Sequence, residues 1–197
     1  MSTEAQNIPV SLYTEMTPNP ESLKFVVNKM LYPNQVAEFR NEEEANASPL
    51  AKELFGFPFV RAVFISQNFI TITKAADAQW EEIMQSLKDF IKAYVASDKE
   101  IVSLEMMQAA ETANENEAEH PEIIKKIKDL LDTYVKPAVE MDGGHISFKS
   151  YDEGVVTVVL QGACSGCPSS TLTLKAGIEG MMQRMIPEVK EVVAEEG

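Results

Sequence analysis

Apolar and polar residues alternate along "PVSLYTE" and again along "SLKFVVN", on either side of "MTPNPE". A period of two puts every second side chain on a buried face, so both stretches read as strands. Pro18, Asn19 and Pro20 are turn formers, and the strands they separate are expected to pair as a hairpin. "SPLAKELFG" has Ser48 at a helix N-cap, Pro49 at the first helical position and Gly56 as a stop. "FVRAVFIS" and "FITITK" are β-branched and aromatic and are separated by "QN", which predicts a second hairpin. The period then changes. Trp80, Ile83, Met84, Leu87, Phe90, Ile91 and Tyr94 recur at three- and four-residue steps, the stripe of an amphipathic helix laid on a sheet. Such a stripe is read as core, not as a cofactor pocket. The expected order is ββαββα.

A second helical stripe runs through Ile123, Ile124, Ile127, Leu130, Leu131, Tyr134 and Val135, with Pro121 in a first turn that tolerates proline. Asp142-Gly143-Gly144 stops it. "HISFKSY" and "VVTVVLQ" read as strands joined by "DEG", "SSTLTLKAGIEGMMQRMI" as a helix opened by Pro168 and Ser169, and "VKEVVA" as a last strand. This second order is αββαβ. The predicted class is α+β, two small α/β sandwiches.

Charge marks the border between them. Residues 98–119 hold 1 basic and 7 acidic side chains, net −6, and "AAETANENEAEHP" has no aromatic or large aliphatic residue to repay the entropy of ordering. The expected organisation is a domain over 1–104, an acidic flexible linker over 105–119 and a domain over 120–197. The whole chain of 197 residues carries a formal charge of −14. A field of that sign repels nucleic acid and anionic lipid, which removes both as bulk partners. No apolar run approaches the ~20 residues a membrane span needs. "MSTEAQNIPV" has neither a basic n-region nor an apolar h-region. With two cysteines and no export signal, the expected compartment is a reducing cytoplasm.

Both cysteines, Cys164 and Cys167, lie in "LQGACSGCPSST". A strand leads to Gly162, and Cys167 is followed at once by a proline and the start of a helix. The N–H groups and positive dipole end there favour thiolates. Gly162 and Gly166 let backbone amides approach sulfur or a bound inorganic anion. These features suit an iron–sulfur cluster, a zinc ion or a reactive dithiol. Ligand count favours the cluster. Clusters and structural zinc take four ligands, and the only other nitrogen or sulfur donors of the right type are His120, at the edge of the linker, and His145, after the Gly-Gly. Neither histidine is expected to be a ligand. The missing pair comes most simply from a second copy across a two-fold axis. The inner residues Ser165 and Gly166, and the αββαβ order, fit a thioredoxin-like motif less well.

The long block "MDGGHISF…GVVTVVLQGACSGCPSSTLTLKAGIEGMMQRMIPEVKEVV" resembles the C-terminal domain of NifU and the Nfu-type iron–sulfur scaffold and carrier proteins. "TPNPESLKF", "SPLAKELF", "FVRAVFISQNFITITK" and Trp80 are similar to the Nfu N-terminal domain, and the two matches follow in the family's order. The resemblance implies a non-enzymatic carrier that holds a labile cluster, 4Fe–4S rather than 2Fe–2S, between the CxxC motifs of a homodimer. It places the ligand cysteines on Cys164 and Cys167. It also implies partners: an upstream assembly scaffold and apo-proteins that receive the cluster by thiolate exchange.

Overall fold

A computed structural model of the chain describes residues 9–103, 120–165 and 168–197, and of residues 168–171 the backbone alone. The linker expected over 105–119 lies outside these residues, as do Gly166 and Cys167.

The amino-terminal unit is built on strands β1 (Leu12–Met16), β2 (Ser22–Val27), β3 (Tyr32–Phe39), β4 (Val60–Gln67) and β5 (Phe69–Lys74). They form one antiparallel sheet in the order β1-β2-β5-β4-β3, with Phe25 opposite Ile70 and Val63 opposite Ile72. Alternation sends Phe25, Val63, Ile65, Ile70 and Ile72 to one face, where they pack with Leu87 and Ile91 of helix α2 (Trp80–Ala96) and Leu50 and Leu54 of helix α1 (Pro49–Phe55). The Ser48 hydroxyl accepts from Ala51 N–H at 3.1 Å, and Gly56 closes the helix, as expected.

Strand β3 corrects the ββαββα order to βββαββα. Its segment "YPNQVAEF" opens with residues that read as a turn, and Asn34 does adopt a left-handed φ of 60°. The register against β4 shifts between Tyr32 and Val36, so alternation is broken at the start and resumes only over the last four residues. As an edge strand, β3 accommodates Pro33, which has no N–H to give a ladder.

In the carboxy-terminal unit, helix α3 (Pro121–Leu130) passes through a π-helical stretch (Leu131–Val135) into helix α4 (Lys136–Met141). Pro137 has no N–H for the carbonyl four residues back, and the wider π turn absorbs that loss. Gly143, at φ 80°, supplies the left-handed residue that ends the helix. Strands β6 (Gly144–Asp152) and β7 (Val155–Gly162) pair antiparallel. Helix α5 (Pro168–Met185) then carries the chain across to β8 (Glu191–Glu196), which lies parallel to β7. Ile127, Leu131, Ile146, Val156, Val158 and Met182 are among the residues of this second core. Among the described residues no helix is long and apolar enough to cross a membrane.

The two units touch. Every residue of β2 is buried, which requires cover on both faces of the sheet. The cover on the outer face is the α4–β6 turn and the end of β7.

Candidate cluster-binding loop

Strand β7 delivers the chain to Gly162, whose φ of 70° turns it away from the sheet. Ala163 N–H then donates to Gly143 O at 3.2 Å, and both the N–H and the hydroxyl of Ser165 donate to Gly162 O, at 3.1 and 2.9 Å. Cys164 is thereby folded inward. It is 4 % exposed and is part of the carboxy-terminal core. Its sulfur rests on Gly144, where a Cβ would lie 2.8 Å from Sγ and 2.7 Å from Gln161 O. Gly144, expected with Gly143 only to stop a helix, therefore also makes the seat for this sulfur. Cys167, the second expected ligand, lies outside the described residues.

The outer face of the amino-terminal sheet lies behind this seat. Thr71 Oγ1 donates to Gly143 O at 2.7 Å, and a Cβ on Gly143 would meet that same oxygen at 2.9 Å. Lys24, itself buried, donates to the last carbonyls of α4, Glu140 O at 3.0 Å and Met141 O at 3.3 Å. Its ammonium also pairs with Glu15 at 2.9 Å, so a cation sits at the negative end of the helix. A Cβ on Gly162 would lie 3.0 Å from the Phe64 ring.

Glu38 reaches the loop directly. Its Oε1 accepts from Gly162 N–H at 3.0 Å and from the Ser165 hydroxyl at 3.2 Å. Its Oε2 accepts no hydrogen bond and lies 3.5 Å from an Arg40 guanidinium nitrogen. Burial raises the Glu38 carboxyl above its ordinary value, opposed by the Gly162 N–H, by Arg40 and by Ser165. Glu38 is not legible in the sequence because its strand, β3, is not. The alternation of "VAEF" was its only local signal.

The histidines stand apart from the sulfur. His145 follows Gly144 on β6, so its side chain points to the opposite face of the strand. There its Nδ1 is 3.9 Å from Glu140 Oε1 and accepts or donates no hydrogen bond. Burial, aided by the Lys136 ammonium and opposed by Asp132, lowers its pKa to about 4. His120 precedes α3 and stacks edge-on against Tyr151, with ring centroids 5.6 Å apart. Tyr151 is seven residues along β6 from Cys164's seat at Gly144, roughly 20 Å by strand rise. Among the described residues no three His, Cys, Asp or Glu side chains gather to hold a metal ion.

Two family models match the chain, "Scaffold protein Nfu/NifU N terminal" over residues 12–98 and "NifU-like domain" over residues 127–193. The NFU1 iron–sulfur cluster scaffold homolog of Drosophila willistoni, named as mitochondrial, is 43 % identical over 182 residues, covering 92 % of this chain and 62 % of that protein. The human protein of the same name is 38 % identical over 182 residues, covering 92 % of this chain and 70 % of its own. NifU-like protein 4 of Arabidopsis thaliana, also mitochondrial, is 38 % identical over 190 residues, covering 93 % and 65 %. The chain thus spans between three-fifths and three-quarters of these relatives.

These names overturn the cytoplasmic expectation, since the relatives are mitochondrial proteins. Cysteine usage distinguishes oxidising from reducing surroundings, not one reducing compartment from another. Both matches and the human relative lead to one conclusion: the chain belongs to the Nfu/NifU family of iron–sulfur cluster scaffold proteins, which are carriers and not enzymes.

Proposed function

We propose that this protein carries a 4Fe–4S cluster, with Cys164 and Cys167 supplying half of its ligands and the same loop of a second chain supplying the rest. One observation carries the reading: the chain's only two thiols are three positions apart in the sequence between strand β7 and helix α5, within the NifU-like region. Four thiolates satisfy the cluster, and one chain offers two. A cluster held by two short loops has few protein bonds per subunit, so thiolates of an acceptor can replace its ligands one by one without net redox change. An upstream scaffold supplies the cluster and apo-proteins receive it. The unit over 1–104 and the unit over 120–197, joined by the acidic segment 105–119, divide the work between docking and holding the cargo.

Anaerobic reconstitution with iron and sulfide tests this. The expected product is a brown protein with about four irons per two chains, and Cys164→Ala or Cys167→Ala should abolish it. Single variants that keep the full iron content would overturn the assignment. A tightly held zinc that iron and sulfide cannot displace would instead make the loop a structural staple.

A further inference from the structure

Three layers are stacked at the base of the cysteine loop. The outermost is the amino-terminal sheet, through Lys24, Glu38, Phe64 and Thr71. The middle layer is bare backbone at Gly143 and Gly162, both in the left-handed region, where an added Cβ would strike Thr71 Oγ1 at 2.9 Å and Phe64 at 3.0 Å. The innermost is Gly144 with the Cys164 sulfur seated on it. The amino-terminal unit has no cysteine or histidine and so cannot contribute such ligands itself. What it contributes is contact with the residues that bracket Cys164.

We propose that the outer face of the amino-terminal sheet docks in cis on the stem of the cysteine loop, and that Glu38 is a positioning residue holding Cys164 buried until the units part. One carboxylate oxygen accepts from Gly162, two residues before the cysteine, and from Ser165, the residue after it. Cys164 is only 4 % exposed as a residue, so bringing its sulfur within a partner's reach requires residues 163–165 to turn outward. That movement strips Ser165 from Glu38 and undoes the Ala163 N–H bond to Gly143 O. Gly143 O is in turn fixed by Thr71. The docked arrangement and an outward sulfur are therefore mutually exclusive at Ser165.

The interface has the make-up of one that opens. Val26, Phe64 and Phe69 form a small apolar cluster of their own, separate from either core. Around it the polar contacts run mostly from side chains to backbone: Lys24 to two carbonyls, Thr71 to a third, Glu38 to an N–H. Mixed interfaces of this kind between units of one chain permit relative motion. The consequence for cluster loading rests on the carrier reading; the docking itself does not.

The test uses the full-length, reduced apo-protein. Iodoacetamide is added, and alkylation at Cys164 is followed by peptide mass spectrometry. Glu38→Ala, which leaves Gly162 N–H without its acceptor and the Ser165 hydroxyl with Gly162 O alone, is expected to speed alkylation by about tenfold or more. Glu38→Gln keeps an acceptor oxygen and is expected to stay within about twofold of the parent, and Thr71→Val to give an increase of a few-fold. Amide exchange at Ile70, in the sheet core, should remain as slow as in the parent, which separates parting of the units from unfolding. Should Glu38→Ala fail to fold, Thr71→Val decides alone. Folded variants that alkylate no faster than the parent would overturn the proposal, because the sulfur would then be hidden by its own unit only. Alkylation needs no cluster, so that outcome leaves the carrier reading standing. A failed reconstitution would strike the carrier reading and leave the docking result intact.

Discussion

The two faces of the amino-terminal sheet are made by the same strands and do different work. On the inner face Phe25, Val63, Ile65, Ile70 and Ile72 join a continuous core closed by α1 and α2. The outer face presents Lys24, Glu38, Phe64 and Thr71, which reach a unit more than 70 residues further along the chain. Burial of apolar area on the inner face is non-directional and large. The outer face works through a few directed bonds, each contributing about 1 kcal/mol net. Stability belongs to one face and the placing of a ligand loop to the other.

That division is tested first where it is strongest. Ile70→Ala removes a fully buried side chain from the inner face and is expected to cost about 4 kcal/mol of unfolding free energy in a denaturant titration. Next comes Gly162→Ala, between the units. The φ of 70° and a clash with Gly143 O at 2.7 Å should together cost about 2–3 kcal/mol, and the variant should expose Cys164. Thr71→Val keeps the shape of the outer face and loses one bond. A cost of about 1 kcal/mol is expected. If it destabilises the sheet as much as Ile70→Ala does, the two faces are not distinct in the way described.

The smallest expected effect is a pH slope from His145. Folded, it is held at about 4 against an ordinary 6.5, so the unfolded chain binds the extra proton between those values. Its contribution is therefore present above pH 6.5 and is lost as pH falls towards 4. Glu38 acts in the opposite sense, because a raised carboxyl binds its proton more readily when folded. Melting temperatures of the parent and of His145→Asn, compared across that window, isolate the histidine. The variant should lose less stability on acidification, and parallel curves would show that His145 is not kept neutral by the fold.

What could be read from the sequence follows the same line as the two faces. The three- and four-residue steps from Trp80 to Tyr94 gave α2, and Ser48, Pro49 and Gly56 gave α1 with its cap, because all of these signals are local. Strand β3 was hidden by Pro33, by the positive φ of Asn34 and by a register shift, each of which imitates a loop. The cysteine loop was visible as a motif, and its approach from β7 and exit into α5 followed from strand and helix patterns on either side. Its surroundings were not. Glu38 lies 124 residues before Gly162, and Thr71 lies 72 before Gly143. No period or spacing links such pairs. Gly143 and Gly144 were legible as a helix stop, while the approach of sulfur to Gly144 appears only once the carboxy-terminal unit is folded, and that of Thr71 to Gly143 only once both units are together.

The carrier reading comes down to how many chains hold one cluster. Native mass spectrometry of the anaerobically reconstituted full-length protein measures this in one spectrum, as protein mass with iron and sulfide attached. Two chains with about four irons and four sulfides, falling apart to bare monomers when the cluster is chelated, is the expected result. A single chain that retains a complete cluster would contradict a site shared between two loops.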